Sequence, residues 1–299
     1  MSEISSEDLK LTRREFQENK REDSINIAVP HIRVYHKSKR GNLSRVYDLM
    51  RRAREESNVN IFLLPSGFLY GPLTESHEYS QHGFKKYAER IPGDVTAILE
   101  ELSKKFGVYI ITGSILEKAG PRIFSTSIVI SPFQEGVVYR YRKMTLSDNE
   151  ISYLSPGREP GIVEIANLRI GILLEEDLFM PEIARVLALE RTDLLIFFSK
   201  LAKKFTEVKP LVISRALENS TTVINVGGIL NINGEDVVNV KTLIVRGNGS
   251  IEGESRDDGE EIFYMTIRIK DPKKRISKRV NNDVIKNLIR YMRKRKLLV

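Results

Sequence analysis

Residues 171–182 read GILLEEDLFMPE, an apolar run, three acids and a proline in close succession. Ile172, Leu173 and Leu174 have the apolar uniformity of a strand covered on both faces. Pro181 suits the first position of a helix, where its missing N–H costs nothing. The stretch therefore predicts a strand that runs into a helix, with Glu175, Glu176 and Asp177 on the corner. α/β proteins keep reactive side chains on such corners, although a solvated acidic turn would be written in the same letters.

The flanks extend the pattern in both directions. Upstream, residues 161–165 and 168–174 form a hairpin about Ala166 and Asn167. Downstream come a helix, the buried strand 194–199, a helix over 208–219 and a strand over 222–226. Nearer the start, 25–34 (INIAVPHIRV) and 61–65 (IFLLP) read as strands. Asn42 is placed to cap a helix with Leu43, Val46, Met50 and Ala53 on one face. Asp94 caps another, carrying Val95, Ile98, Leu99, Leu102 and Phe106, and Gly107 ends it before a strand over 108–112. Residues 123–131 and 137–142 pair across PFQEG, and 237–246 and 261–269 complete the sheets. NVGG (225–228) and RGNGS (246–250) lack the lysine and hydroxyl residue of a phosphate loop and read as turns. With no repeat and no linker, the economical fold is α/β, mixed sheets with helices on their outer faces. One domain spans 25–270, between a polar extension, 1–24, and a basic tail, 271–299.

Composition limits the chemistry. The chain has 299 residues, 41% of them hydrophobic, enough for a large core. No apolar run reaches the roughly 18 residues of a membrane span, and the expectation is a soluble, cytoplasmic protein. There is no cysteine, which removes disulfides, thiolate metal sites and thiol nucleophiles together. Glutamine is scarce while Lys, Arg and Glu abound, a balance suggesting a thermophilic source. The net charge of +8 is uneven: the tail carries 11 basic residues against 2 acidic ones, leaving the remainder near −1.

Four stretches in order resemble the nitrilase or carbon-nitrogen hydrolase superfamily: LLPSGFLYGP (63–72), YRKMTL (141–146), GILLEEDLFMPE (171–182) and SRALENS (214–220). The resemblance implies a four-layer αββα sandwich whose active members attack amides or nitriles with a Glu, Lys, Cys triad. It also implies homodimer formation through 181–189 and 208–219. Carried over by position, the lysine is Lys143 and the supporting glutamate Glu150. The base position holds Ser66 and the nucleophile position Glu175. The chain resembles a member that has lost both the catalytic Cys and the catalytic Glu.

Those two losses set the functional expectation. A thioester needs a thiolate, so the family's standard reaction is excluded. The Ser66 hydroxyl would itself need a base, and a Glu175 anhydride is a poor intermediate. Water activated by Glu175 beside Lys143 is cheaper and remains open as a divergent amide hydrolase. Against it stands a non-catalytic binding or scaffold homo-oligomer. A carboxylate disappears at 66 and one appears at 175, so the charge around Lys143 is kept and the buried ammonium stays paired. The reading favours this second alternative, with a small carbonyl or carboxylate ligand near Lys143 and no cofactor.

His31, Phe68, Tyr70 and Phe179 are expected to wall the pocket. His77 and His82, in the loop-like HEYSQHGF, read as surface histidines, and no metal site is expected. In the tail, Val284, Ile285, Leu288, Ile289 and Met292 recur at helical spacing, with Lys286, Arg290, Arg293, Lys294, Arg295 and Lys296 on or beyond the other face. Such a helix either docks by its apolar stripe or contacts nucleic acid, an anionic membrane surface or an acidic partner.

Overall fold

A computed structural model of the chain describes residues 24–73, 81–269 and 282–295. Most of the polar extension, His77, Lys296 and the flanks of the tail helix lie outside the described residues.

The first half contains β1 (Ser24–His31), β2 (Arg33–Tyr35), α1 (Lys39–Glu56), β3 (Ile61–Leu64), α2 (Gln81–Tyr87), α3 (Asp94–Phe106), β4 (Tyr109–Thr112), β5 (Ile115–Ala119), β6 (Arg122–Ile130), β7 (Val137–Arg142) and α4 (Asp148–Ile151). The second contains β8 (Gly161–Ile165), β9 (Leu168–Leu174), α5 (Pro181–Leu189), β10 (Leu194–Phe198), α6 (Lys209–Asn219), β11 (Thr222–Val226), β12 (Gly228–Ile232), β13 (Glu235–Val240), β14 (Leu243–Val245), β15 (Ile251–Glu254), β16 (Glu261–Arg268) and α7 (Asn282–Lys294).

One sheet runs β16-β1-β3-β4-β6-β5, with β7 on the other edge of β6. A second runs β15-β14-β11-β10-β9-β8, and β13-β12-β2 form a small third. The β1, β3, β4 pairings and the β9, β10, β11 pairings are parallel; the flanking ones are antiparallel. Alternation along the strands builds the layers. Ile61, Leu63, Ile172, Leu174, Ile196 and Phe198 meet between the two large sheets. Phe62 and Leu64 face out onto Val46, Met50, Val95 and Leu99 of α1 and α3. Leu195 and Phe197 face the other way onto Leu187, Val212 and Ala216 of α5 and α6. Buried on both faces, these strands lack polar alternation for the reason their uniform apolarity implied, and the result is the four-layer αββα sandwich.

Local corrections are few. The run 25–34 is two strands, because Ile32 passes β1 in the first sheet to β2 in the third. Residues 237–246 split likewise into β13 and β14. Asn42 does not cap α1, which starts after Ser38. It is buried inside the helix, its amide bonded to Tyr35 N, Tyr35 O and Leu69 O. Gly93, not Asp94, is the N-cap of α3, held by Thr96. Gly107 takes the left-handed stop expected of it, φ 65°. The backbone of His82 lies in α2, not in a loop.

Candidate functional site

The C-terminal ends of five strands converge. β9 and β10 end in register, Leu174 beside Phe198, so the acidic corner lies against Ser199 and Lys200. β3 and β4 end together, Leu64 beside Thr112, which sets Ser66 beside Ser114. Lys143 follows the last residue of β7, its N–H bonded to Ser125 O. Sheet order thus gathers residues that the sequence scatters over more than a hundred positions.

The corner itself is strained. Glu175 has φ 52°, a left-handed value disfavoured for a long side chain, and begins a tight helical turn through Phe179. Asp177 holds that turn. Its carboxylate accepts from Leu174 N at 3.0 Å, Thr145 N at 2.9 Å and the Tyr141 hydroxyl at 2.6 Å. Burial keeps its carboxyl above the usual range, against the pull of those donors. From α6, the Arg215 guanidinium donates twice to Leu178 O, at 3.1 and 3.0 Å, so the SRALENS helix braces the same turn.

Lys143 is fully buried. Its ammonium lies 2.8 and 2.7 Å from the two oxygens of Glu150, 2.6 Å from Glu175 Oε2 and 2.6 Å from Glu176 Oε2. Lys200, equally enclosed, donates to Glu150 Oε1 at 3.0 Å and Glu176 Oε1 at 2.8 Å. The remaining oxygen of Glu175 accepts from the Ser114 hydroxyl at 2.6 Å. Burial pushes the Lys143 ammonium down, but the carboxylates of Glu175, Glu150 and Glu176 outweigh it and leave its pKa above the ordinary lysine value. Burial pushes Glu150 up, yet Lys200 and Lys143 together bring it down to about 2. Carboxylate oxygens of Glu150, Glu175 and Glu176 fall within 4.8 Å of one another, a grouping that would suit a divalent cation. Here two ammonium groups occupy their midst.

Ser66 stands apart from this network. Its hydroxyl donates weakly to Phe198 O at 3.3 Å and accepts from Ser114 N at 3.3 Å. It lines a cleft with Tyr70, Ser114, Glu150, Glu175 and Lys200. The cavity volume is about 40 Å³, room for roughly three waters at ~10–15 Å³ each.

Of the four expected wall residues only Tyr70 lines the cleft, its hydroxyl bonded to Glu89 at 2.7 Å. Phe68 belongs to the core under α1 and α3, because its place in the turn after β3 points it away from the strand ends. Phe179 packs on Phe205, ring centres 5.6 Å apart. His31 is buried at the end of β1, its Nδ1 3.0 Å from Thr242 Oγ1, and burial lowers its pKa to about 4. Sequence reasoning missed Lys200 and Ser114 and undervalued Glu176 and Asp177. The signal for Lys200 was a lysine two residues beyond the wholly apolar LLIFF strand.

In the tail, Lys286, Arg290, Arg293 and Lys294 lie on α7 and Arg295 just beyond it. Of the expected apolar stripe, Leu288 is 55% and Ile289 39% exposed, while Ile285 and Met292 are half-buried. Among the described residues no helix is long and apolar enough to cross a membrane.

A carbon-nitrogen hydrolase family model matches residues 26–273. The chain is 30% identical over 180 residues to omega-amidase NIT2 of Danio rerio, a match covering 57% of this chain and 61% of that protein. It thus spans about three fifths of that relative's length. A nitrilase of Pyrococcus abyssi is 26% identical over 252 residues, 82% of this chain and 90% of that one. Nit3 of Saccharomyces cerevisiae, a member of branch 10 of the nitrilase superfamily, superposes with a TM-score of 0.69 at 25% identity, covering 84% of this chain and 91% of the other.

Proposed function

The chain belongs to the carbon-nitrogen hydrolase family, and we propose that within it this protein has left Cys-dependent hydrolysis and acts as a binding or scaffold homo-oligomer. One observation carries the reading. Glu175, which the motif resemblance assigns to the nucleophile's position, has both carboxylate oxygens engaged, one by Lys143 and the other by Ser114. A carboxylate so held is a poor nucleophile and a poor base, since attack or proton transfer would first break a buried ion pair. Lys143, the group suited to stabilise an oxyanion, is likewise surrounded by three glutamates. The cleft admits a ligand no larger than a small carbonyl or carboxylate compound. A second copy is expected on α5 and α6, where Val186 and, just before α5, Met180 are 40% and 42% exposed. The tail helix remains a surface for nucleic acid or an acidic partner.

A divergent hydrolase is the second reading. Three carboxylates face two ammonium groups in the cluster, and the surplus carboxylate would serve as a base toward a water entering beside Glu175. Ammonia release from simple amides and nitriles separates the two. The proposal expects no release above the buffer rate; release abolished by both Glu175→Gln and Lys143→Ala would establish the hydrolase instead.

A further inference from the structure

A second cleft opens on the other side of β7, lined by Arg122, Arg140 and Arg142 of β6 and β7, by Arg158, and by Phe124 and Tyr139. Its volume of about 440 Å³ lies in the range of small-molecule sites. The walls are preformed. Gly157 N donates to Lys143 O at 2.7 Å, and a Cβ at Gly157 would meet Arg142 O at 2.0 Å, so the 156–160 segment is pinned to the end of β7 by a residue that must be glycine.

The guanidinium groups are unequally satisfied. The buried carboxylate of Glu117 takes a two-pronged pair from Arg142, both bonds 2.8 Å, and an ion pair from Arg140 at 3.0 Å. Thr126 donates to it as well, at 2.7 Å. Arg140 spends another N–H on Ile91 O. Arg142 lies over the Phe124 ring, 3.9 Å from its centre, which fixes its plane. Glu117 has no capacity left, and among the described residues neither Arg122 nor Arg158 makes an ion pair. Counting Glu159, which also lines the cleft, four guanidinium groups face two carboxylates, a surplus of two positive charges in a concave, partly apolar site.

We propose that this cleft binds a small phosphate monoester, with the dianionic phosphate between Arg122 and Arg158 and the ester's organic group against Tyr139. A phosphate monoester carries close to two charges near neutral pH, which matches the surplus. Planar forks from two walls match its oxygens. A phosphodiester offers one charge per nucleotide and would gain less from an enclosed cleft than from the open basic face of α7.

Calorimetric titration of the full-length protein with AMP and with inorganic pyrophosphate tests this. The expected result is one site per chain, weakened about tenfold or more in Arg122→Gln/Arg158→Gln and unchanged in the tail variant Arg290→Gln/Arg293→Gln. Both pairs are exposed, and an unaltered melting curve verifies that each variant is folded. No binding of either probe overturns the proposal. So does unchanged affinity in the cleft variant, or an equal loss in the tail variant, which would mark nonspecific attraction to basic charge.

Discussion

Arg142 and Lys143 are neighbours in sequence, yet they serve two charge clusters built on opposite principles. Around Lys143, three carboxylates and two ammonium groups are buried and bonded to one another. Around Arg142, two of four arginines share the buried carboxylate of Glu117, and the cleft they line opens to solvent. The first cluster has its counter-charges inside the fold; the second lacks part of them and is open to a ligand. The strand-end cluster, which the resemblance assigns to the family's catalytic positions, is the better closed of the two.

Substitutions should expose that contrast by their size. Lys143→Met leaves three buried carboxylates facing one ammonium and is expected to lower stability by about 3–5 kcal/mol, the cost of stranding buried charge. Urea unfolding measures it, and a loss below about 1 kcal/mol would mean water already reaches the cluster. Acid separates the molecule further. The folded pKa of His31, about 4, lies below the ordinary imidazole value, so the unfolded chain takes up the proton first. Stability from this group is complete above about pH 6.5 and falls by up to ~1.4 kcal/mol per pH unit toward pH 4. Glu150 acts lower down. With a folded pKa of about 2, its contribution is present above about pH 4.5 and is lost as pH falls toward 2. A urea midpoint flat from pH 7 to 4.5 would contradict the burial of His31. Arg142→Met, one residue from Lys143, should cost only about 1–2 kcal/mol, because Arg140 remains on Glu117; equal losses at 142 and 143 would erase the distinction between the clusters. Arg122→Gln/Arg158→Gln should leave the melting midpoint where it is, its effect confined to anion binding.

Much of the fold was legible because burial on both faces writes itself into uniform runs such as IFLLP and GILL. Gly107 and Pro181 marked their boundaries for backbone reasons that hold in any context. The reading weakened wherever a residue's neighbours came from another strand. Nothing local to Asn42 reveals that its amide ties helix to strand and loop, and nothing local to Ile32 reveals a change of sheet. Lys143, Glu150 and Glu175 could be carried over by motif. Lys200 and Ser114 matched none, and became visible only when the parallel registers of β9 with β10 and β3 with β4 brought them to the same corner. Glu176 looked like one acid among three until Lys200 appeared opposite it. Phe68 and Phe179 missed the cleft for a related reason: an aromatic beside a strand end faces either cleft or core, and the sequence records no direction.

The central claim is that Glu175 now serves as an ion-pair partner of Lys143. A double-mutant cycle on stability tests it most directly, using Lys143→Met, Glu175→Gln and the pair together. The expected result is a coupling of at least about 1.5 kcal/mol, with Lys143→Met milder in the Glu175→Gln background because fewer carboxylates are left facing one another. Losses that add to within about 0.5 kcal/mol would contradict the account, showing that the two side chains do not depend on one another.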